Sequence, residues 1–189
     1  MNLADLYKDI SRFEQQLDSV LIQLELRGHC KNLHADHICV RLNDDTAVLS
    51  LKTELEEVSE LISEAVVGGR TIYIFQLYEP IVVGPWTVSA IELPYPKPGQ
   101  SYADGWEHIE FCIPEIPNTM EALSERFRVL FPHLTNEYMF DLYKRKDSMP
   151  EAEGEQIPNP TIGLISGGVG IKFHPRSIQT VVGYEAGVV

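Results

Sequence analysis

The chain has 189 residues, and its 28 acidic side chains against 15 basic ones leave a formal net charge of -13. Phosphate backbones need a basic face, so nucleic acid is not an expected partner; no apolar run reaches the roughly 20 residues that cross a bilayer, so neither is a membrane. Cys30, Cys39 and Cys112 are odd in number and lack Cys-x-x-Cys spacing, which argues against a disulfide framework or a zinc ribbon.

Residues 1–5 carry no basic, apolar start of a secretory signal, so one cytoplasmic domain over residues 1–189 is expected. Residues 2–30 read as one or two helices, with Leu6, Ile10, Phe13, Leu17, Val20, Leu21 and Leu24 in one apolar stripe and Gly28 as C-cap. Residues 35–42 alternate as a strand: His37, Cys39 and Arg41 share one face, Ile38, Val40 and Leu42 the other. Residues 46–65 read as a second helix on Leu51, Leu55, Val58, Leu61 and Ile62, broken by Gly68-Gly69. Strands follow at 70–79 and 86–93, turned by Gly84-Pro85, and Glu92 faces opposite to Ile91 and Leu93. Residues 95–104, with three prolines or glycines among them, read as a linker.

Residues 105–114 form the strand that organises the second half. His108, Glu110 and Cys112 share its polar face, and Ile109, Phe111 and Ile113 its apolar one. At about 3.3 Å per residue the imidazole and the carboxylate sit roughly 7 Å apart, a spacing suited to a cavity wall or a metal site. A helix is expected at 118–131, capped by Asn118 or Thr119. The charged stretch 141–155 reads as an edge strand running into a loop. Strands at 160–165 and 169–175 join through Gly167-Gly168, and a short helix at 177–182 closes the chain.

The two halves repeat one order. Asp36-His37-Ile38 aligns with Glu107-His108-Ile109, and Ile91-Glu92-Leu93 with Ile171-Lys172-Phe173. The expected fold is α+β: two βαβββ modules, 35–97 and 105–182, sharing one curved mixed sheet as an incomplete barrel, with the helical segment 2–30 beside it. The cleft face collects His37, Arg41, Glu92, His108, Glu110, Lys172 and His174, with Cys39 and Cys112. In regular strands Asp36 and Glu107 point away from it.

This pattern resembles the vicinal-oxygen-chelate superfamily, which includes glyoxalase I, extradiol dioxygenases and methylmalonyl-CoA epimerase. More closely, Ala35-Asp36-His37-Ile38, Ile91-Glu92-Leu93-Pro94, Gly105-Trp106-Glu107-His108-Ile109-Glu110, Pro158-Asn159-Pro160-Thr161 and Ile171-Lys172-Phe173-His174-Pro175 look like the YecM family. The resemblance implies a divalent metal (Zn, Fe, Mn or Ni) held by His37, His108 and Glu92. The position of a fourth ligand falls on Lys172, which as an ammonium cannot coordinate, so water, Glu110 or His174 is left to fill it. It further implies a lyase, isomerase or dioxygenase acting on a small oxygen-rich anionic substrate. Glu110 or His174 then moves the proton, and Arg41 and Lys172 bind the anion. Two alternatives stand beside it: a non-catalytic module that binds a small molecule or metal complex in the same cleft, and an inert cleft in which Glu92 and Lys172 form an ion pair. His29, His34 and His133 read as surface residues.

Overall fold

The computed structural model describes residues 1–150 and 157–183. The N-terminal stripe folds as α1 (Leu3–Gln23), opened by a reciprocal cap in which the Asn2 side chain accepts the Asp5 N–H and Asp5 accepts that of Asn2. Gly28 does not end it. Glu25 takes the left-handed conformation after the helix, at φ 54°, and Gly28 falls inside the short α2 (Arg27–Cys30). Among the described residues no helix is long and apolar enough to cross a membrane.

The first half continues with β1 (His34–Arg41), α3 (Asp45–Glu56), β2 (Ser59–Val67), β3 (Arg70–Val83) and β4 (Trp86–Pro94). The expected helix over 46–65 is therefore half helix and half strand. Leu61 and Ile62 continue the spacing of Leu51 and Leu55, which hides the switch of period; in the fold Ser59–Val67 pairs antiparallel with β3 along its length. The second half gives β5 (Gly105–Cys112), α4 (Met120–Leu130), β6 (Lys144–Ser148), β7 (Thr161–Ser166), β8 (Val169–His174) and α5 (Ile178–Val181). Asp44 caps α3 and Thr119 caps α4, each accepting an N–H three residues on. The end of the stretch 141–155, residues 151–156, lies outside the described residues.

All eight strands join one mixed sheet in the order β2-β3-β4-β1-β5-β8-β7-β6, open at both edges rather than closed into a barrel. The opening strands β1 and β5 are antiparallel neighbours at its centre, each flanked by the parallel closing strand of its own half, β4 or β8. Helices α1, α3 and α4 cover one face. There Phe111, Phe127, Phe131 and Phe173 pack ring on ring. Trp86 and Trp106 bury their rings and still donate their indole N–H, to Cys30 O and Leu6 O, each at 3.0 Å, which ties the N-terminal helices to the sheet. The other face is left for the cleft.

Two irregularities shape that cleft. Pairing steps from Ala35–Phe111 to His37–Glu110, and from Cys39–His108 to Val40–Trp106. Asp36 is thus an extra residue on β1 and Glu107 an extra residue on β5. Each is a β-bulge, and a bulge re-aims the side chains beside it. The expectation that Asp36 and Glu107 point away from the cleft holds only for regular strands, and these are not regular there.

Candidate metal centre

Each bulge turns an acid toward the histidine that follows it. Asp36 Oδ2 lies 2.8 Å from His37 Nδ1, and Glu107 Oε2 lies 2.9 Å from His108 Nδ1. A carboxylate at Nδ1 fixes that nitrogen as an N–H donor, so Nε2 is the nitrogen that faces inward and, in the neutral ring, would coordinate. Asp36 is fully buried and its Oδ2 also accepts the N–H of Ile178 at 2.9 Å, so its position is set from two sides.

Ligand atoms of His37, Glu92, His108 and Glu110 all lie within 4.8 Å of one another, and all four residues are buried. His108 Nε2 is 2.9 Å from Glu110 Oε1. His37 Nε2 is 3.2 Å from Glu110 Oε1 and 3.5 Å from Glu92 Oε2, yet it makes no hydrogen bond to either. A buried polar nitrogen without a partner is uncommon and calls for an explanation. Cys39 Sγ stands 3.5 Å from the other oxygen of Glu92, so this thiol belongs to the cleft, and burial with the Glu92 charge pushes its pKa well up.

The remaining candidates fall into different places. Lys172 Nζ sits 2.5 Å from Glu110 Oε1; the Glu92–Lys172 ion pair of the inert-cleft alternative is not formed, because β4 and β8 are separated in the sheet by β1 and β5. His174 is buried beneath Glu110, with Nε2 at 3.6 Å from Glu110 Oε2 and 3.5 Å from Asp36 Oδ2 and Nδ1 against Arg176 O. Arg41 does not reach the cavity wall. It lies behind His108, bonded to Glu107 Oε2 and stacked over Tyr102. Cys112 groups instead with His34 and Asp36. His133 is half buried, its Nε2 on Leu24 O and its ring stacked on exposed His29.

The electrostatics follow from this packing. Burial works against charge on His37, but Glu110, Asp36 and Glu92 outweigh it and hold the pKa well above 6.5. Burial likewise opposes ionisation of Glu110, and Lys172, His37 and His108 overturn that, so its pKa lies well below 4.5. Glu107 falls to about 2, with burial opposed by His108 and Arg41. His174 goes the other way: burial dominates and lowers it, so the ring is neutral.

Three of these donors, His37, Glu92 and Glu110, line a cavity of about 460 Å³ whose wall does not include His108; every strand contributes to it, among them Ser63 from β2, Ile74 from β3, Lys146 from β6 and Thr161 from β7. Such a volume suits a small molecule. Arg70 and Lys97 also line it, and neither stands out in sequence: one follows a glycine turn, the other sits in the linker. No periodicity marks them, because only the folded chain brings a strand end and a connecting segment to one wall.

A family model described as YecM protein matches residues 2–185. Protein YecM of Escherichia coli (strain K12) is 36% identical over 97% of this chain and 94% of that protein. An uncharacterised protein of Haemophilus influenzae is 30% identical over 94% of this chain and 92% of its own length. Among solved structures, one titled Structural Genomics, Protein EC4020 superimposes with a TM-score of 0.81 and 34% identity, covering 97% of this chain and 92% of that one.

Proposed function

The chain belongs to the YecM family, and from that footing we propose that its cleft binds one divalent transition-metal ion and acts on a small oxygen-rich anionic molecule. The ligands are His37, Glu92 and His108, with Glu110 as the fourth. The observation that carries this is His37 Nε2, buried, unbonded, and aimed between two carboxylates. Two imidazoles and two carboxylates form a donor set suited to Zn, Fe, Mn or Ni, and acids behind both rings complete it.

A bound divalent ion supplies Lewis-acid charge beside the substrate oxygens. The chain does the rest. Asp36 and Glu107 hold the two rings in register. Glu110 turns Oε1 to the donor cluster and Oε2 toward His174 Nε2, 3.6 Å away and not hydrogen-bonded, so His174 is placed to take a proton from Glu110 only when the two draw closer. The Lys172 side chain is 32% exposed, the freest of the group, and can turn from Glu110 to meet an anionic substrate. The contact of Lys172 with Glu110 also favours a second reading, a non-catalytic binding module, since it already neutralises one donor.

Two measurements test this. The wild type, purified without chelator and reloaded with Mn, Fe, Ni or Zn, should bind one equivalent, and His37→Ala or His108→Ala should bind none. No binding by the wild type at micromolar metal overturns the reading. Turnover on a panel of dicarbonyl and hydroxy-acid compounds separates the enzyme from the binding module.

A further inference from the structure

The cavity carries more positive charge than the metal site uses. Arg70 at the start of β3, Lys97 in the segment after β4 and Lys146 in β6 line the same wall as Glu92, Glu110 and Lys172. β3 and β6 stand near opposite ends of the strand order, so two cations from distant strands and one from the segment after β4 line the same cavity. The acids on the cavity wall, Glu92 and Glu110, both lie within 3.5 Å of His37 Nε2, and Glu110 is paired with Lys172. Among the described residues Arg70, Lys97 and Lys146 have no ion-pair partner, and the one fixed contact is Arg70 Nη1 donating to Tyr95 O at 2.9 Å. Lys97 lies below its usual pKa, first through burial and then through Lys146, Arg70 and Arg41, so these charges feel one another.

Among the described residues the three cations have no ion-pair partner, and like charges gathered in this way repel one another. Ser63 and Ser148 hydroxyls stand on the same wall, neutral donors for anionic oxygens. We propose that Arg70, Lys97 and Lys146 form an anion subsite, and that the ligand is a small molecule with at least two anionic groups, carboxylate or phosphate, one at this rim and one at the floor beside Lys172. The rim subsite stands on the cavity's charges alone; the placement of the second group rests on the function proposed above.

The test titrates inorganic pyrophosphate and, in parallel, succinate into the full metal-free chain by calorimetry. Wild type should bind at least one of them saturably. Lys97→Ser/Lys146→Ser and Arg70→Ser should each weaken binding by roughly tenfold or more, the scale of a lost charge-assisted contact. Lys144→Ser, exposed on the same strand but absent from the cavity wall, should bind as wild type, and melting curves confirm that all variants fold. Tighter binding of pyrophosphate assigns a phosphate group, and the reverse a carboxylate. Wild-type binding no stronger than that of Lys97→Ser/Lys146→Ser, including none in either, overturns the subsite. Metal stoichiometry is read on the same proteins: its loss with pyrophosphate binding intact counts against the metal site and leaves the rim standing.

Discussion

Glu107 Oε2 accepts a hydrogen bond from the ring of His108, its own neighbour in the chain, at 2.9 Å. Adjacent residues of a regular strand face opposite ways, so this contact exists only because Glu107 is the bulged residue of β5. Asp36 and His37 repeat it on β1. Glu107→Gln and Asp36→Asn should therefore each weaken metal binding by about 10–100-fold with every ligand in place. Metal titration of the two variants checks this; unchanged affinity in both would remove the acids from the site.

His37 sets the pH dependence. Its pKa is raised in the folded, metal-free chain by Glu110, Asp36 and Glu92 against the effect of burial. Its ion pairs therefore stabilise fully below the ordinary 6.5 and fade as pH rises through the raised value. A metal needs the neutral ring, so binding expels this proton, and affinity should climb by up to about tenfold per pH unit from its ordinary range until the raised value is passed. Calorimetry in buffers of different ionisation enthalpy counts the proton. Affinity flat across about pH 6 to 8 with no proton released would exclude Nε2 of His37 as a ligand.

Lys172 competes with the metal for Glu110. Lys172→Met leaves Glu110 and Glu92 without their nearest ammonium, and breaking a buried pair costs about 3–5 kcal/mol. With the Lys172 side chain 32% exposed, solvent screens part of this, and a loss of about 3 kcal/mol or less is expected in the metal-free form. The metal-loaded form should lose less, and metal should bind more tightly. Equal losses of Tm in both forms would mean that no metal replaces the ammonium.

Much of this site was legible because alternation survives in β1 and β5. His37, His108, Glu110 and Glu92 meet where their parity puts them. Asp36 and Glu107 depart from that parity because a bulge is a property of two paired strands, and neither strand announces it alone. Arg41 shares the parity of His37, but two residues beyond Cys39 it is captured by Glu107, which the bulge has turned inward. β2 hides inside a helical pattern, since leucine spacing carries no mark at Glu57 and Val58 where the period changes. Arg70, Lys97 and Lys146 come from β3, the segment after β4 and β6, and share a wall only in the assembled fold.

Gly170 shows how tightly the second half is built. A Cβ there would lie 2.8 Å from His108 Cβ, too close for either atom to yield, as both are fixed to paired strands. Gly170→Ala should cost about 1–3 kcal/mol as overpacking and push His108 out of line, with metal affinity lost in proportion. Gly163→Ala is the control, since its new Cβ meets nothing nearer than 3.5 Å. Equal metal binding by both variants would show that His108 is not positioned through this contact.

Ile38 and Ile109 lie directly opposite one another across β1 and β5, and the row extends to Ile91 on β4 and Ile171 on β8. All four side chains are 0% exposed. Each follows or flanks a cleft residue, so it faces the helices, and the row ties the two halves together beneath the metal site through cross-strand packing. Burial of such a side chain is worth roughly 1.5–3 kcal/mol, and truncation to alanine costs about 2–5 because a cavity remains. Ile38→Ala and Ile109→Ala should each destabilise by that much in chemical denaturation and still bind one equivalent of metal when folded. His37→Ala and His108→Ala should show the converse, a smaller loss of metal-free stability and no metal. If the isoleucine variants lost metal stoichiometry while remaining folded, the cleft and the core would be coupled through this row, and the division of the sheet into a chemical face and a structural face would fail.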